Sequence, residues 1–429
     1  MSPSSAGTLG ETFLKPPDEH MTPVKPSGAY QQQGQVTSQQ TKTYQTAKPD
    51  QSVIYVFSGG NYSLTDGDLN KTGSSSNVNS SDMYGNNAAL LATEGSHVDL
   101  NECSVYSSGE GANAVVAYGE GSLIQVENCT ISTIRGSSRG VHAISGGAIT
   151  VSNSTISTQG AHSAALAIGH GGGTVKATNV TATTQGEGSP GIYSTGNIEV
   201  YAGNYVAFGS EAAVIEGKNT ITLDGADITA YKKHGVMFYQ SHPGESAQGE
   251  GRFQMIDGSL TNSSSGAAFF VTNTTAKVSL TNVDMMNASN TLLRVVAPGK
   301  NEPGTLPQWG QEGGKVTFDA TQQELNGDVV TDSKSSVTMS LNDTSILRGG
   351  INTDNAGKVD LSVDESSRWM ATSDSYVNKI LGARLKDSVL ANVDAPAGVT
   401  IYYHTMTDTN GSSLTGNYTL ASGGKLVKN

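Results

Sequence analysis

The fold is decided by the stretch Ser96–Gly196, which reads SHVDLNECSVYSSGEGANAVVAYGEG, SLIQVENCTISTIRGSSRGVHAISGG, AITVSNSTISTQGAHSAALAIGHGGG and TVKATNVTATTQGEGSPGIYSTG. These four segments begin at Ser96, Ser122, Ala148 and Thr174, so each start lies 26 residues after the one before. A fixed period of this length is typical of a solenoid, in which every repeat packs against its neighbours.

The repeating unit lacks the apolar spacing of a helix and consists of short β-prone segments separated by Gly, Ser and Asn. Such a unit predicts one coil of a parallel β-helix, so the expected fold class is all-β. We expect three short strands per coil and about twelve coils. The predicted coils each contain an apolar-x-apolar pair, which starts at Val98, Ile124, Ile149, Val175, Ile198, Ile221, Phe253, Val278, Val316, Val337 and Val359.

The composition favours one elongated domain over several compact ones. Charged residues make up 15% of the chain, and Gly accounts for 52 of its 429 residues, against about 25% and about 7% in typical domains. Residues 1–50 are rich in Pro, Gln, Ser and Thr and have no periodicity, so we expect a disordered or loosely attached tail there. The β-helix is expected over residues 51–370, and a capping region with a β-hairpin at Asn410-Gly411 over residues 371–429.

The charge and hydropathy patterns limit the possible partners. The formal net charge is −13 without a basic cluster, which argues against nucleic acid and anionic membranes. Polyanionic substrates are also disfavoured unless a local cation bridges them. No apolar run is long enough to span a bilayer. The first 20 residues contain no apolar region of the signal-peptide type, yet we expect an extracellular or cell-surface protein whose signal is not part of this chain.

The two cysteines, Cys103 and Cys129, are 26 residues apart and so occupy equivalent places in adjacent coils. Stacked coils place equivalent Cα atoms about 4.8 Å apart, which a disulfide permits. Two buried free thiols that fill space are the alternative. The sequence leaves both possibilities open.

The third strand of each coil is the most informative for function. Alternation sends one set of its side chains inward and the other outward. We assign to the inside Val115, Val141, Ile192, Val236 and Leu292, with Ala117, Ala143 and Phe238 two residues later. We assign to the outside Val116, His142, Leu166, Tyr193, Val214, Met237, Phe269 and Leu293, and then Tyr118, Ile144, Ile168, Glu216, Tyr239 and Val271. The opposite assignment is the alternative.

With this assignment, one face of the solenoid bears an apolar and aromatic stripe, which is typical of an interface or a ligand groove. Two insertions, at residues 240–252 and 298–313, follow third strands in different coils. The insertions could form the walls of a cleft whose floor is the stripe, with Trp309 over it. Alternatively, they cover the stripe and make it part of the core.

At the repeat and in segments such as GIYSTG from Gly191 and GGGTVKATNVT from Gly171, the chain resembles right-handed parallel β-helix proteins. These form the pectin-lyase-like superfamily, which includes adhesin-like surface proteins. The resemblance implies the fold over residues 52–370 and leaves the function open, because lyases, hydrolases, epimerases and passive adhesins share it. The matches to hydrolase motifs, GHG at Gly169 and NTD at Asn352, occur in reversed order without the remaining motifs, so we interpret them as chance.

The candidates for acid–base catalysis are His142, His162, Glu216 and Lys233, and the alternative is that they are solvated surface groups. The candidate ligand-binding residues supply rings and apolar surface for stacking on sugars: Tyr193, Met237, Tyr239, Phe269 and Trp309. No Cys/His spacing of a metal site occurs, and we expect neither a metal nor another cofactor.

The first functional hypothesis is a secreted or cell-surface β-helix that binds polysaccharide or mediates adhesion through the stripe. The alternative is a carbohydrate-active enzyme, a polysaccharide lyase, glycoside hydrolase or epimerase, with its site between the two insertions. A third possibility is a lateral homo-oligomer that forms through the stripe.

Overall fold

The computed structural model describes residues 25–241, 246–299, 305, 309–386 and 389–429. They form a parallel β-solenoid of about 15 turns with almost no helix, which confirms the predicted all-β fold class with a few more turns than expected. The chain divides into two compact units. The first comprises Met1–Lys232 and Ser241–Ala247, and the second comprises Lys233–Gln240 and Gln248–Asn429.

Each turn of the first unit passes through three parallel sheets, which we call sheets 1, 2 and 3. Its sheet 1 contains Gly28–Gln33, Ser52–Phe57, Leu90–Thr93, Val115–Tyr118, Val141–Ile144, Leu166–Ile168, Ile192–Ser194 and Ala213–Glu216. Its sheet 2 contains Val36–Gln40, Asn61–Thr65, His97–Asn101, Leu123–Glu127, Gly147–Ser152 and Thr220–Asp224. Its sheet 3 contains Thr43–Thr46, Asp68–Lys71, Ser104–Ser107, Thr130–Thr133, Thr155–Thr158 and Asp227–Ala230, and two long strands join sheets 2 and 3, Gly173–Thr184 and Asn197–Ala207.

The second unit repeats this arrangement. Sheet 1 contains Val236–Tyr239, Phe269–Thr272, Thr291–Val295 and Asp328–Thr331. Sheet 2 contains Glu250–Ile256, Thr275–Thr281, Lys315–Thr321, Ser336–Asn342, Lys358–Val363, Ser375–Ala383, Thr400–Asp408 and Lys425–Lys428. Sheet 3 begins with the pair Ser259–Asn262 and Asp284–Asn287 and continues as Glu324–Asn326, Ile346–Arg348, Arg368–Met370 and Val393–Asp394. The short antiparallel strands are Leu385–Lys386, Val389–Leu390, Ser413–Leu414 and Tyr418–Thr419.

The register of sheet 2 in the first unit follows the apolar pairs of the repeat. Ile124 lies opposite Val98 in one neighbouring strand and opposite Ile149 in the other. All three side chains are buried. The alternate residues of these strands are partly or fully exposed, because successive side chains of a strand point to opposite faces.

The bend between sheets 2 and 3 explains the recurrent asparagines. Asn128, Asn153 and Asn179 have φ values of 55°, 48° and 53°, in the left-handed region that Asn tolerates better than most residues. The Nδ2 atom of Asn179 donates to Oδ1 of Asn153 at 2.9 Å, and Nδ2 of Asn128 donates to Oδ1 of Asn101 at 3.1 Å. These side chains therefore link neighbouring coils at the bend.

A column of buried serine hydroxyls connects the coils between sheets 3 and 1. The N–H groups of Ala112, Ser138 and Ser163 donate to the hydroxyl oxygens of Ser138, Ser163 and Ser189, each at 2.9 Å. Each acceptor lies one coil further along the chain. The column satisfies backbone donors that would otherwise be buried without a partner, which is costly in a protein interior.

The Ser163→Ala substitution tests this column. It removes the acceptor of the Ser138 N–H and leaves that donor buried, so we expect the free energy of unfolding to fall by about 1–3 kcal/mol. Urea unfolding followed by circular dichroism measures the change. The control is Ser157→Ala, which alters a half-buried serine in a nearby strand of the same unit. Equal midpoints for the two variants would contradict the proposed role.

The predicted boundary near residue 50 differs from the structure. Gly28–Gln33, Val36–Gln40 and Thr43–Thr46 form a complete coil, and each strand pairs with the next strand of its sheet. The rings of Tyr30 and Tyr44 pack 5.2 Å apart, and Tyr30 lies 5.3 Å from Tyr62. This coil was missed because Gln and Thr surround its few apolar residues. Residues 1–24 of the predicted tail lie outside the described residues.

A short helix that the repeat did not predict, α1 (Val78–Tyr84), lies over sheet 1 in the first unit. Asn77 caps its start, and Gly85 ends it with a left-handed φ of 71°. A Cβ atom at Gly85 would approach Val116 Cγ1 to 2.4 Å, so the helix end contacts the outer side of sheet 1. None of the helices in the described part of the chain is both long and apolar enough to cross a membrane.

The register of sheet 1 differs in part from the predicted inward and outward assignment of its side chains. Leu166 lies opposite Val141, and Ile168 lies opposite Ala143, so both belong to the inward set. In the second unit, Phe269 lies opposite Val236 and Leu293, and Val271 lies opposite Phe238. The Phe269 ring contacts the rings of Phe253 and Phe318 at 5.9 and 5.5 Å. The outward assignment was therefore wrong for Leu166, Ile168, Phe269, Val271 and Leu293.

Candidate functional site

In the first unit, the candidate site residues on the outer side of sheet 1 are buried, which differs from the exposed stripe expected from the sequence. Tyr193 is 9% exposed, Glu216 is 3% exposed and His142 is 1% exposed. The phenol of Tyr193 donates to Glu216 Oε2 at 2.7 Å, and the Ser241 hydroxyl donates to Glu216 Oε1. Both carboxylate oxygens of Glu216 thus accept hydrogen bonds within the fold.

The first insertion contributes to this burial. Ser246 donates from its hydroxyl to the Glu216 carbonyl at 2.9 Å, and the Lys218 N–H donates to the Ala247 carbonyl at 2.8 Å. These contacts fit the interpretation in which the insertion covers the stripe. The predicted cleft depends also on residues 242–245, 300–304 and 306–308, which lie outside the described residues.

His142 is enclosed on all sides. A Cβ atom at Gly169 would lie 2.4 Å from its Nε2 atom, and neither ring nitrogen has a hydrogen-bond partner among the described residues. Burial, together with the charge of the nearby Arg139, holds the pKa of His142 well below its usual value. A neutral ring without access to solvent is poorly placed for proton transfer to a ligand.

The other catalytic candidates, His162 and Lys233, lie at bends before strands of sheet 1. His162 has a φ of 55°, and its N–H donates to the Glu187 carbonyl. Lys233 has a φ of 62°, and its carbonyl accepts from the Ser264 hydroxyl at 2.7 Å. Both residues therefore contribute to the bends through their backbone conformation and their backbone hydrogen bonds.

In the second unit, the predicted ligand-binding side chains are also buried. Met237, Tyr239, Phe269 and Trp309 are at most 6% exposed. The Tyr239 and Trp309 rings are 4.7 Å apart and tilted by 34°, and Asn273 Nδ2 donates to the carbonyls of Gln240 and Trp309. The aromatic rings pack against one another here and leave little ring surface for a sugar.

The cysteines are both free and buried. The Cys103 N–H donates to Sγ of Cys129 at 3.3 Å, which places the two side chains in adjacent coils as the repeat predicts. In the part of the chain that the structure describes, no group of three or more His, Cys, Asp or Glu residues is arranged to hold a metal ion.

A groove with a volume of about 420 Å³ lies in the second unit, at residues that were not among the predicted site residues. The volume is within the range of about 300–1,000 Å³ typical of ligand sites. We call it the tyrosine groove, and its lining includes Tyr376, Tyr402, His404, Lys334, Lys358 and Asn352.

The two tyrosines lie opposite each other on neighbouring strands of sheet 2. Their rings are stacked with centroids 4.8 Å apart and planes inclined by 9°. Both side chains are half-buried, and neither phenolic hydroxyl has a hydrogen-bond partner among the described residues. The pair therefore offers ring surface and free hydroxyl groups together, the combination that suits a partly polar ligand.

Asn352 builds one wall of the tyrosine groove. Its side chain is buried, its Oδ1 atom accepts from the N–H groups of Ala356 and Gly357, and its Nδ2 atom donates to the Gly357 carbonyl at 3.0 Å. Nδ2 also reaches the Tyr376 carbonyl at 3.3 Å. The amide thus fixes the loop at residues 352–357 against the strand that carries Tyr376, a role unrelated to the hydrolase motif it resembled.

One sequence signal could have revealed the tyrosine groove. Tyr376 and Tyr402 are 26 residues apart, the same spacing as the first four repeats. Equal spacing predicts stacking in adjacent coils. Lys334, Lys358 and Asn352 come from other coils at unequal spacing, so their convergence follows only from the three-dimensional structure.

Comparison of the chain with protein-family models, with curated proteins and with solved structures returned no match.

Proposed function

We propose that the chain is a non-catalytic, polysaccharide-binding β-solenoid and that the tyrosine groove is its contact site. The observation that carries this proposal is the stacked, half-buried pair of Tyr376 and Tyr402 in a groove of about 420 Å³, with hydroxyls that have no partner among the described residues. Sugars are bound by rings that cover their apolar C–H surface and by nearby hydrogen-bonding groups.

The polar lining supports a carbohydrate more than an apolar ligand. Asn355 and Asn378 also line the groove, alongside serines of the segment 333–336. Amides and hydroxyls can both donate and accept hydrogen bonds, as a sugar hydroxyl does. Asn378 and Ser335 already bond to Asp360 and Asp332. An apolar ligand would cover the Asn355 amide and the Ser333 and Ser336 hydroxyls, which have no partner among the described residues, and this is unfavourable.

The cellular setting is part of the same proposal. A secreted or cell-surface location would bring the groove to extracellular polysaccharides. The right-handed parallel β-helix proteins that the repeat resembles include passive, adhesin-like surface proteins, and the proposal assigns the chain a role of that kind.

The Tyr402→Ala variant tests the site. We expect polysaccharide binding to weaken about tenfold or more, because truncation removes one of two stacked contact rings. Affinity electrophoresis in gels that contain a neutral or an acidic polysaccharide measures the dissociation constant, with Tyr402→Phe as the variant that keeps the ring. Tyr106→Ala is the matched control, since it removes a tyrosine that is 39% exposed and lies in the first unit.

Unchanged binding in Tyr402→Ala and Tyr376→Ala would overturn the assignment of the groove. New reducing ends or unsaturated products during the same incubations would replace the binding role by the enzymatic alternative.

A further inference from the structure

The lining of the tyrosine groove contains two lysines although the chain as a whole carries a formal net charge of −13. Its lining includes Lys334, Lys358 and His404, and none of the described lining side chains is Asp or Glu. Local potential depends on the nearest charges, because charges further away than about 10 Å are screened at ordinary salt concentrations. The net charge of the chain therefore does not decide the charge preference of this site.

The two lysine ammonium groups of the groove form no ion pair with the described residues. The Lys358 ammonium and the His404 ring have no hydrogen-bond or ion-pair partner among the described residues, and both side chains are exposed. The Lys334 ammonium donates to the Gln311 carbonyl at 2.7 Å, a neutral partner that leaves its charge uncompensated. Two lysine charges are thus available to a bound ligand.

Of the acidic residues close in sequence, Asp332, Asp360 and Asp374 are held by other groups, and the exposed Asp354 pairs with neither lysine. Asp332 accepts from the Ser335 hydroxyl at 2.6 Å and from the Ala297 N–H at 2.7 Å. Asp360 accepts from Asn378 Nδ2 at 2.7 Å and pairs with Lys379 at 3.2 Å. Asp374 accepts from the Thr400 N–H at 2.7 Å. Asp332 also accepts from the backbone N–H of Lys334 at 3.0 Å. None of these three carboxylates pairs with the ammonium group of Lys334 or Lys358.

We propose that the polysaccharide bound in the tyrosine groove carries anionic groups, carboxylate or sulfate, which are bound by Lys334 and Lys358 while the rings of Tyr376 and Tyr402 contact the sugar. This inference rests on the proposed function and names its ligand class. Lysine suits such a ligand because its ammonium is a mobile point charge with three donors. The expectation that polyanionic ligands are disfavoured is thereby reversed for this site.

The test uses the full chain and two pairs of polymers with a shared backbone. Dextran is compared with dextran sulfate, and hydroxyethyl cellulose with carboxymethyl cellulose, by affinity electrophoresis. We expect tighter binding to one or both anionic members, and the preferred pair identifies sulfate or carboxylate. Raising NaCl from about 0.05 M to about 0.5 M shortens the screening length from more than about 10 Å to about 4 Å, so the anionic preference should diminish.

The variants separate charge from ring contact. Lys358→Gln and Lys334→Gln should each weaken binding to the anionic polymer about fivefold and leave binding to the neutral polymer unchanged. Tyr402→Ala should weaken both. The matched control is Lys379→Gln, which removes a lysine that is already paired with Asp360 in the same unit.

Equal binding to neutral and anionic polymers would overturn the inference and leave the proposed function in place. Anionic binding that is insensitive to both lysine substitutions would also overturn it. Binding to none of the four polymers would overturn the inference and the proposed function together.

Discussion

The Trp369→Ala variant is expected to lose about 3–5 kcal/mol in the free energy of unfolding. Trp369 is fully buried in the second unit and lies between Leu347 and Val393 of the neighbouring strands. Its Nε1–H donates to the Gly349 carbonyl at 3.0 Å. Truncation leaves a large cavity and removes the partner of this carbonyl.

Chemical denaturation followed by circular dichroism measures the effect. Trp369→Phe should cost less than the alanine variant, because the phenyl ring fills most of the space and only the indole hydrogen bond is lost. Met370→Ala is the matched control, since the adjacent side chain is 38% exposed and should change stability by less than about 0.5 kcal/mol. A similar loss in Trp369→Ala and Met370→Ala would show that Trp369 is not a core residue.

The second large effect is expected on mild acidification. Burial holds the pKa of His142 well below its usual value, and burial with the charges of Arg294 and Lys233 lowers the pKa of His234 to about 3. In the unfolded chain both rings bind a proton near pH 6.5. The unfolded state therefore takes up more protons than the folded state below that pH, and stability falls as the pH falls.

At pH 5.5 the loss should be about 1.4 kcal/mol for each histidine relative to pH 7.5. Urea midpoints across this range measure the loss, and ordinary carboxyl groups remain ionised there. His142→Met should remove the contribution of His142 to this loss of stability, because methionine does not titrate. The control is Ser157→Ala, which alters no titratable group and should leave the pH dependence unchanged. A flat profile between pH 7.5 and pH 5.5 would contradict the burial of neutral rings.

The fold could be predicted from the sequence because the period of the repeat and the alternation of apolar residues within it both indicate a parallel β-helix. The apolar pair in each coil fixes sheet 2, where Val98, Ile124 and Ile149 lie in one register. Sheet 1 was less well determined. The doublet Ala164-Ala165 before Leu166 offers two equally apolar alignments, and the sequence-based alignment was shifted by one residue there.

The candidate site was poorly predicted for two physical reasons. Alternation within a strand indicates which side chains point away from the coil. It does not indicate whether other residues cover them, as α1 and the residues Ser241 and Ser246 do in the first unit. The tyrosine groove combines residues from several coils with unequal spacing. Only its tyrosine pair carried a periodic signal.

The serine column of the first unit has a mechanical consequence. Its hydrogen bonds, like the strand ladders around it, join each coil only to the coils on either side. A pulling force applied to one coil is therefore resisted by the hydrogen bonds between that coil and its neighbours, and not by those of the whole unit. Under tension in an atomic force microscope, the first unit should come apart in repeated steps of similar length, one coil at a time.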